Sequence, residues 1–161
     1  MQRLFRALVL IPLLFAASCG FHLRGQAPLP AALANPYVET GDRYTPLYAA
    51  LTSQLRAAGA SLAPDAASAS AVIRLHLDKT GRELLSVAAN NKPGEYEVYY
   101  SAEYSVSAGD RELLARQQAK LTRDFGYDET AVLAKQHEEQ SLRIALADEL
   151  AGLILRRLAA L

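Results

Sequence analysis

The sequence predicts an α+β fold. It is a two-layer sandwich in which a mostly antiparallel four-stranded sheet carries two helices packed on one face. Three observations point there. Glu95 to Ala108 alternates apolar and polar residues without a break and is followed by Gly109-Asp110, a hairpin turn. Apolar residues recur at helical spacing in two stretches, one after Thr45 and one from about Thr130 to Leu158. The order is strand, helix, three long strands, helix, which places the helices on one side of the sheet. Residues 36–161 make this domain.

In chain order, Pro36 to Thr40 is a short strand and Gly41-Asp42-Arg43 turns the chain. Thr45 is an N-cap with Pro46 at the first helical position, and Gly59 closes the helix. Leu47, Tyr48, Leu51, Leu55 and Ala58 form its apolar face. Ala71, Ile73, Leu75 and Leu77 alternate with Val72, Arg74, His76 and Asp78, a strand with one covered and one polar face. Lys79-Thr80-Gly81-Arg82 reads as a bulge or bend, with pairing resumed over Glu83 to Ala88. Asn90-Asn91-Lys92-Pro93-Gly94 is a turn. In the long strand Tyr96, Val98, Tyr100, Ala102, Tyr104, Val106 and Ala108 face inward. On the return strand, Arg111 to Phe125, the inward residues are Leu113, Ala115, Ala119, Leu121 and Phe125, with Gln117 and Arg123 interrupting that face. Asp128 caps the last helix, whose stripe is Leu142, Leu146, Leu150, Leu153, Ile154 and Leu158, with Arg156 and Arg157 suited to the C-terminal dipole.

Residues 1–18 read as an export signal. Arg3 and Arg6 precede an apolar run, Ala7 to Ala17, and small residues lead to Cys19. The run is too short to span a bilayer. Cys19 is the one cysteine in the chain. It can pair between chains, stay free or carry lipid, and its place at the end of the apolar run favours lipid. The stretch resembles a bacterial lipobox, with Ala16 where leucine is usual. Residues 19–35, with Gly20, Gly25, Pro28 and Pro30, then form a lipidated tether. Gly20, in place of Asp, leaves no inner-membrane retention signal and points to the outer membrane, with the protein held at its periplasmic face.

Lys+Arg and Asp+Glu number 17 each. Loss of Arg3 and Arg6 with the signal leaves a slightly acidic mature chain, with no basic field for nucleic acid. Three scattered histidines and one cysteine offer no metal-ligand spacing. Neither a Gly-x-Ser-x-Gly elbow nor a phosphate loop is present. Glu138 and Glu139 are adjacent and point apart on a helix. The sequence therefore suggests neither an enzyme nor a cofactor.

Three blocks carry a resemblance. Cys19-Gly20-Phe21-His22-Leu23-Arg24-Gly25 resembles the mature start of the LptE family of lipopolysaccharide-assembly lipoproteins. Pro46-Leu47 through Gln54-Leu55-Arg56 to Gly59 resembles that family's first helix. Glu95-Tyr96, Arg123, Ala134-Lys135 and Glu139-Gln140 resemble its second half. The resemblance implies a lipoprotein without catalytic activity. It would plug the LptD β-barrel in a one-to-one complex, help it assemble, and bind lipopolysaccharide on its way to the outer leaflet. A hydrated sheet face of Ser, Glu and Tyr suits a polar barrel lumen. The competing expectation is a periplasm-facing lipoprotein adaptor or regulator of another envelope complex, for which the tether is short.

The resemblance also nominates lipopolysaccharide-binding residues. Lys135 matches a family basic position, and lipid phosphates call for Lys or Arg; the alternative is a solvated helix lysine beside Glu138 and Glu139. Arg123 matches another, or forms a structural pair with Asp124 or Glu129. A third family basic position falls at or beside Ala89, and Lys92 is the nearest basic residue. His22 reads as a family marker, while His76 and His137 read as exposed.

Overall fold

The computed structural model describes residues 29–87 and 91–161. Four strands, β1 (Pro36–Glu39), β2 (Ala71–Val87), β3 (Pro93–Ala108) and β4 (Arg111–Gly126), form one sheet in the order β1-β2-β3-β4. Two helices cover one face, α1 (Pro46–Ala57) and α2 (Val132–Leu158). β2, β3 and β4 pair antiparallel, but β1 pairs parallel to β2, so the sheet is mixed. The reason is connectivity: α1 is the crossover that returns the chain from the end of β1 to the start of β2.

The predicted ends of α1 are present, whereas Asp128 caps a 3₁₀ turn, Glu129–Ala131, and α2 follows it from Ala131 without a side-chain cap. Thr45 Oγ1 accepts the Tyr48 N–H at 3.2 Å and Pro46 opens α1. Gly59, at φ +93°, closes it, with the Ala60 N–H donating to the Leu55 carbonyl at 3.0 Å. Leu47, Leu51 and Leu55 are buried against Ile73, Tyr100, Tyr104, Leu150 and Ile154 in one core. Thr45 has a second task. Its hydroxyl donates to Asp78 Oδ2 at 2.5 Å, while the Tyr100 hydroxyl donates to Asp78 Oδ1 at 2.8 Å and accepts the Leu47 N–H at 3.3 Å. This network joins the start of α1 to the middle of the sheet. Burial, then the Asp78 bond, push the Tyr100 hydroxyl well above its ordinary pKa.

Four local expectations differ. β2 is unbroken through Lys79-Thr80-Gly81-Arg82, which stay paired with Ser101-Tyr100-Tyr99-Val98. Gly81 is used for a close approach, since a Cβ there would lie 2.6 Å from the Tyr99 hydroxyl. The irregularities fall at Leu75/Leu77, Leu84/Ser86 and Ser86/Val87. On β4, an extra residue between Gln117 and Leu114 reverses the alternation, so Leu114 is buried in place of Leu113 and Ala115 is exposed. On α2 the buried residues are Leu146, Ala147, Leu150, Ala151, Ile154, Leu155 and Leu158, with Leu153 turned outward at 37% exposure. Finally, residues 29–35, read as tether, pack on the domain through a 3₁₀ turn at Ala31–Leu33 whose Leu33 is fully buried.

Candidate functional site

The two helices cover different lengths of sheet. At about 1.5 Å per residue, the 12 residues of α1 span about 18 Å and the 27 of α2 about 40 Å. All buried residues of α2 lie from Leu146 onward. Its first half extends beyond α1 over the far ends of β2, β3 and β4, where β1 no longer pairs. Polar contacts hold this region. Glu139 receives Arg82 of β2 at 2.7 Å and Arg143 of its own helix at 2.5 Å. Burial pushes the Glu139 carboxyl up, but the Arg143 hydrogen bond and the Arg82 charge outweigh it and hold the pKa below the usual range. Arg82 also lies 4.7 Å over the Tyr96 ring, which meets Phe125 at 6.0 Å and Tyr127 at 5.4 Å.

The tip beyond this cluster combines two chemistries. Leu84, Leu85 and Val87 on β2 are 52–54% exposed, and Val132 and Leu133 at the start of α2 are 40% and 75% exposed. Basic residues sit beside them. Lys92 precedes Pro93, which pairs with Val87. The Tyr127 N–H donates to the Gly94 carbonyl at 2.9 Å, which brings the entry to α2 alongside the start of β3. The Asp128 side chain accepts the Thr130 N–H at 2.8 Å and its hydroxyl at 2.7 Å, and these bonds, aided by the Lys135 charge, hold the Asp128 pKa low. Lys135 lies one turn on, half-buried, with Nζ 2.8 Å from Glu138. An apolar surface rimmed by ammonium groups fits an anionic lipid.

The structure brings Lys92 and Lys135 to the same end of the molecule. Arg123 stands in the sheet row of Arg82 and Val98. Arg123 pairs in register with Val98 on the helix-covered face and reaches Glu149 of α2 at 2.9 Å, a partner different from both that the sequence suggested. Ala89, Cys19 and His22 lie outside the described residues. His137 is exposed on α2. His76 is exposed on the open face, 2.8 Å from Ser105 Oγ; burial, then Arg116 and Arg74, lower its pKa. The rest of that face is mostly polar, with Arg116 3.5 Å from Glu103 and Lys120 5.0 Å from the Tyr99 ring centre, and with Val72 and Leu77 among its residues. The exposed apolar residues of the tip were missed from sequence. Their signal was the run Leu84-Leu85-Ser86-Val87, which lacks alternation, and Val132-Leu133, which stands off the α2 stripe.

Comparison with known proteins accords with this architecture. The chain is 27% identical over 158 residues to the LPS-assembly lipoprotein LptE of Pectobacterium atrosepticum, covering 98% of this chain and 85% of the relative. It is 25% identical over 157 residues to that of Photorhabdus laumondii, covering 98% and 86%. Among solved structures, the rare lipoprotein B of Shewanella oneidensis superposes with TM-score 0.68 at 26% identity, over 78% of this chain and 95% of that one. Lipoprotein B of Nitrosomonas europaea gives 0.70 at 24% identity, over 88% and 91%, a likeness of fold. The family described as LptE, lipopolysaccharide-assembly, matches residues 33–158. With the sandwich, the element order and this match in agreement, the chain belongs to the LptE family.

Proposed function

We propose that this protein is an outer-membrane lipoprotein, anchored through Cys19 at the periplasmic face, that plugs and helps assemble the LptD β-barrel and binds lipopolysaccharide during its insertion into the outer leaflet. The role is one of binding and assembly, without catalysis. The observation that carries the binding part is the tip, where exposed Leu84, Leu85, Val87 and Leu133 adjoin Lys92 and Lys135. Lipopolysaccharide pairs acyl chains with phosphates, so one end of the domain offers a surface for each. Arg123 acts here as a strut between β4 and α2. The polar open face of the sheet, with its Tyr, Ser and Glu side chains, supports seating in a hydrated lumen.

Extraction of the native protein in mild detergent tests the partnership. A large β-barrel should accompany it in equal amount; recovery as a lone monomer under several conditions, or with a different envelope complex, would contradict the proposal. For binding, Lys135→Glu should weaken lipopolysaccharide capture and leave barrel association intact. Unchanged capture in a direct assay would remove Lys135 from the site.

A further inference from the structure

A second site lies at the other end of the domain. Between α1, β1 and the segment 62–64 runs a crevice of about 260 Å³. This is smaller than the roughly 300–1,000 Å³ of pockets for drug-sized ligands, so it suits a single chemical group. Its α1 wall is Tyr48, Thr52 and Arg56, spaced i, i+4 and i+8, one position round the helix from the buried Leu47, Leu51 and Leu55. Its other wall carries Tyr37 of β1 and Arg43 of the following turn. The crevice presents donors. The Arg43 guanidinium donates to the Tyr37 oxygen at 2.6 Å, which frees the Tyr37 O–H to donate outward, and the remaining Arg43 N–H groups have no described protein partner. Neither Arg56 nor the Tyr48 hydroxyl has a described partner. The Thr52 hydroxyl is turned inward, onto the Tyr48 carbonyl at 2.8 Å. No described carboxylate lines the crevice.

Five of the other eight arginines among the described residues are neutralised, while Arg111, Arg156 and Arg157 have no such ion pair there. Arg74, Arg82, Arg116, Arg123 and Arg143 each have a carboxylate within 3.5 Å. Arg156 lines a larger groove together with Asp148 and Glu149. In a chain whose charges balance, two guanidiniums and two phenols lining one crevice with no described acid form a site for an oxyanion. The planar guanidinium fork favours the tetrahedral phosphate group. We propose that the Arg43–Arg56 crevice binds a phosphate group. Leu29 lies ten residue steps beyond Cys19, a reach of at most about 36 Å, so phosphates of a lipid surface holding Cys19 lie within range, as does free phosphate.

The test follows the arginine side-chain NMR signals of the full-length protein in a phosphate-free, non-ionic detergent. One arm adds inorganic phosphate, the other short-chain phosphatidylglycerol. Arg43 and Arg56 should shift saturably with at least one probe. Response to the lipid alone assigns a headgroup, and response to inorganic phosphate assigns a site for the phosphate group itself. The Arg43→Gln/Arg56→Gln double variant should bind about tenfold or more weakly, and Tyr37→Phe should weaken binding less. Arg74→Gln, whose parent guanidinium is already held by Glu39 at 2.8 Å, should bind as the parent does. The arginine variants alter exposed side chains, and an unchanged thermal transition reports an intact fold in each variant. Silence of Arg43 and Arg56 toward both probes, undiminished binding by the double variant, or an equal loss in Arg74→Gln would overturn the proposal.

Discussion

The base and the tip of this domain are built from the same strands and the same long helix, yet they are held by different forces. At the base, both helices press Leu47, Leu51, Leu55, Leu146, Leu150, Ile154 and Leu158 onto Ile73, Tyr104 and Val106, all buried. At the tip, one helix lies over three strands. Its contacts are the Arg82–Glu139–Arg143 bridge and the Tyr96–Phe125–Tyr127 cluster, and large apolar side chains face water. Burial of apolar surface dominates folding free energy, whereas partly exposed ion pairs add little. The base therefore sets global stability, and the tip opens locally at lower cost. The difference teaches that the proposed binding surface lies in the part of the fold that the core does not need.

Substitutions break this contrast to differing degrees. Leu150→Ala empties a fully buried site and should cost about 2–5 kcal/mol, read as a large fall in the urea midpoint. Tyr100→Phe strips Asp78 and the Leu47 N–H of a partner and should cost about 1–3 kcal/mol in the same measurement. Glu139→Gln should cost about 1–2 kcal/mol, expressed chiefly as faster amide exchange at the tip with the base unchanged. Arg123→Gln, between partners both about half exposed, should shift the midpoint by less than about 1 kcal/mol.

Acid should sharpen the same contrast. The Glu139 pKa is depressed in the folded protein, so its contribution is complete above the ordinary glutamate pKa of about 4.3 and is lost as pH falls through the lower folded value. Exchange at the tip should rise over that range before the base responds. A Glu139→Gln protein should lose most of this pH dependence.

The base was readable from sequence because its signals are local and repeated. The alternation in β3, the Thr45-Pro46 start, the Gly59 stop and the four-residue spacing of Leu146, Leu150, Ile154 and Leu158 each follow from short-range geometry. What escaped the sequence depends on partners. The reversed alternation at Leu114 arises from a bulge set by pairing with β3, and Gly81 resembles a bend until Tyr99 is seen lying on it. Arg123 and Glu149 are 26 residues apart and Arg82 and Glu139 are 57 apart, so no local pattern announces either pair. The candidate site was half legible. Lys135 and Lys92 emerged through family resemblance, whereas the apolar tip beside them required the strands and α2 to end together.

Amide hydrogen exchange of the full-length protein, with and without lipopolysaccharide, tests the division between base and tip most directly. Added lipopolysaccharide should slow exchange over 84–87, 92–94 and 132–135 and leave α1 and the second half of α2 unaltered, with Lys135→Glu abolishing most of the change. Protection confined to the base, or no protection at the tip at saturating lipopolysaccharide, would contradict it.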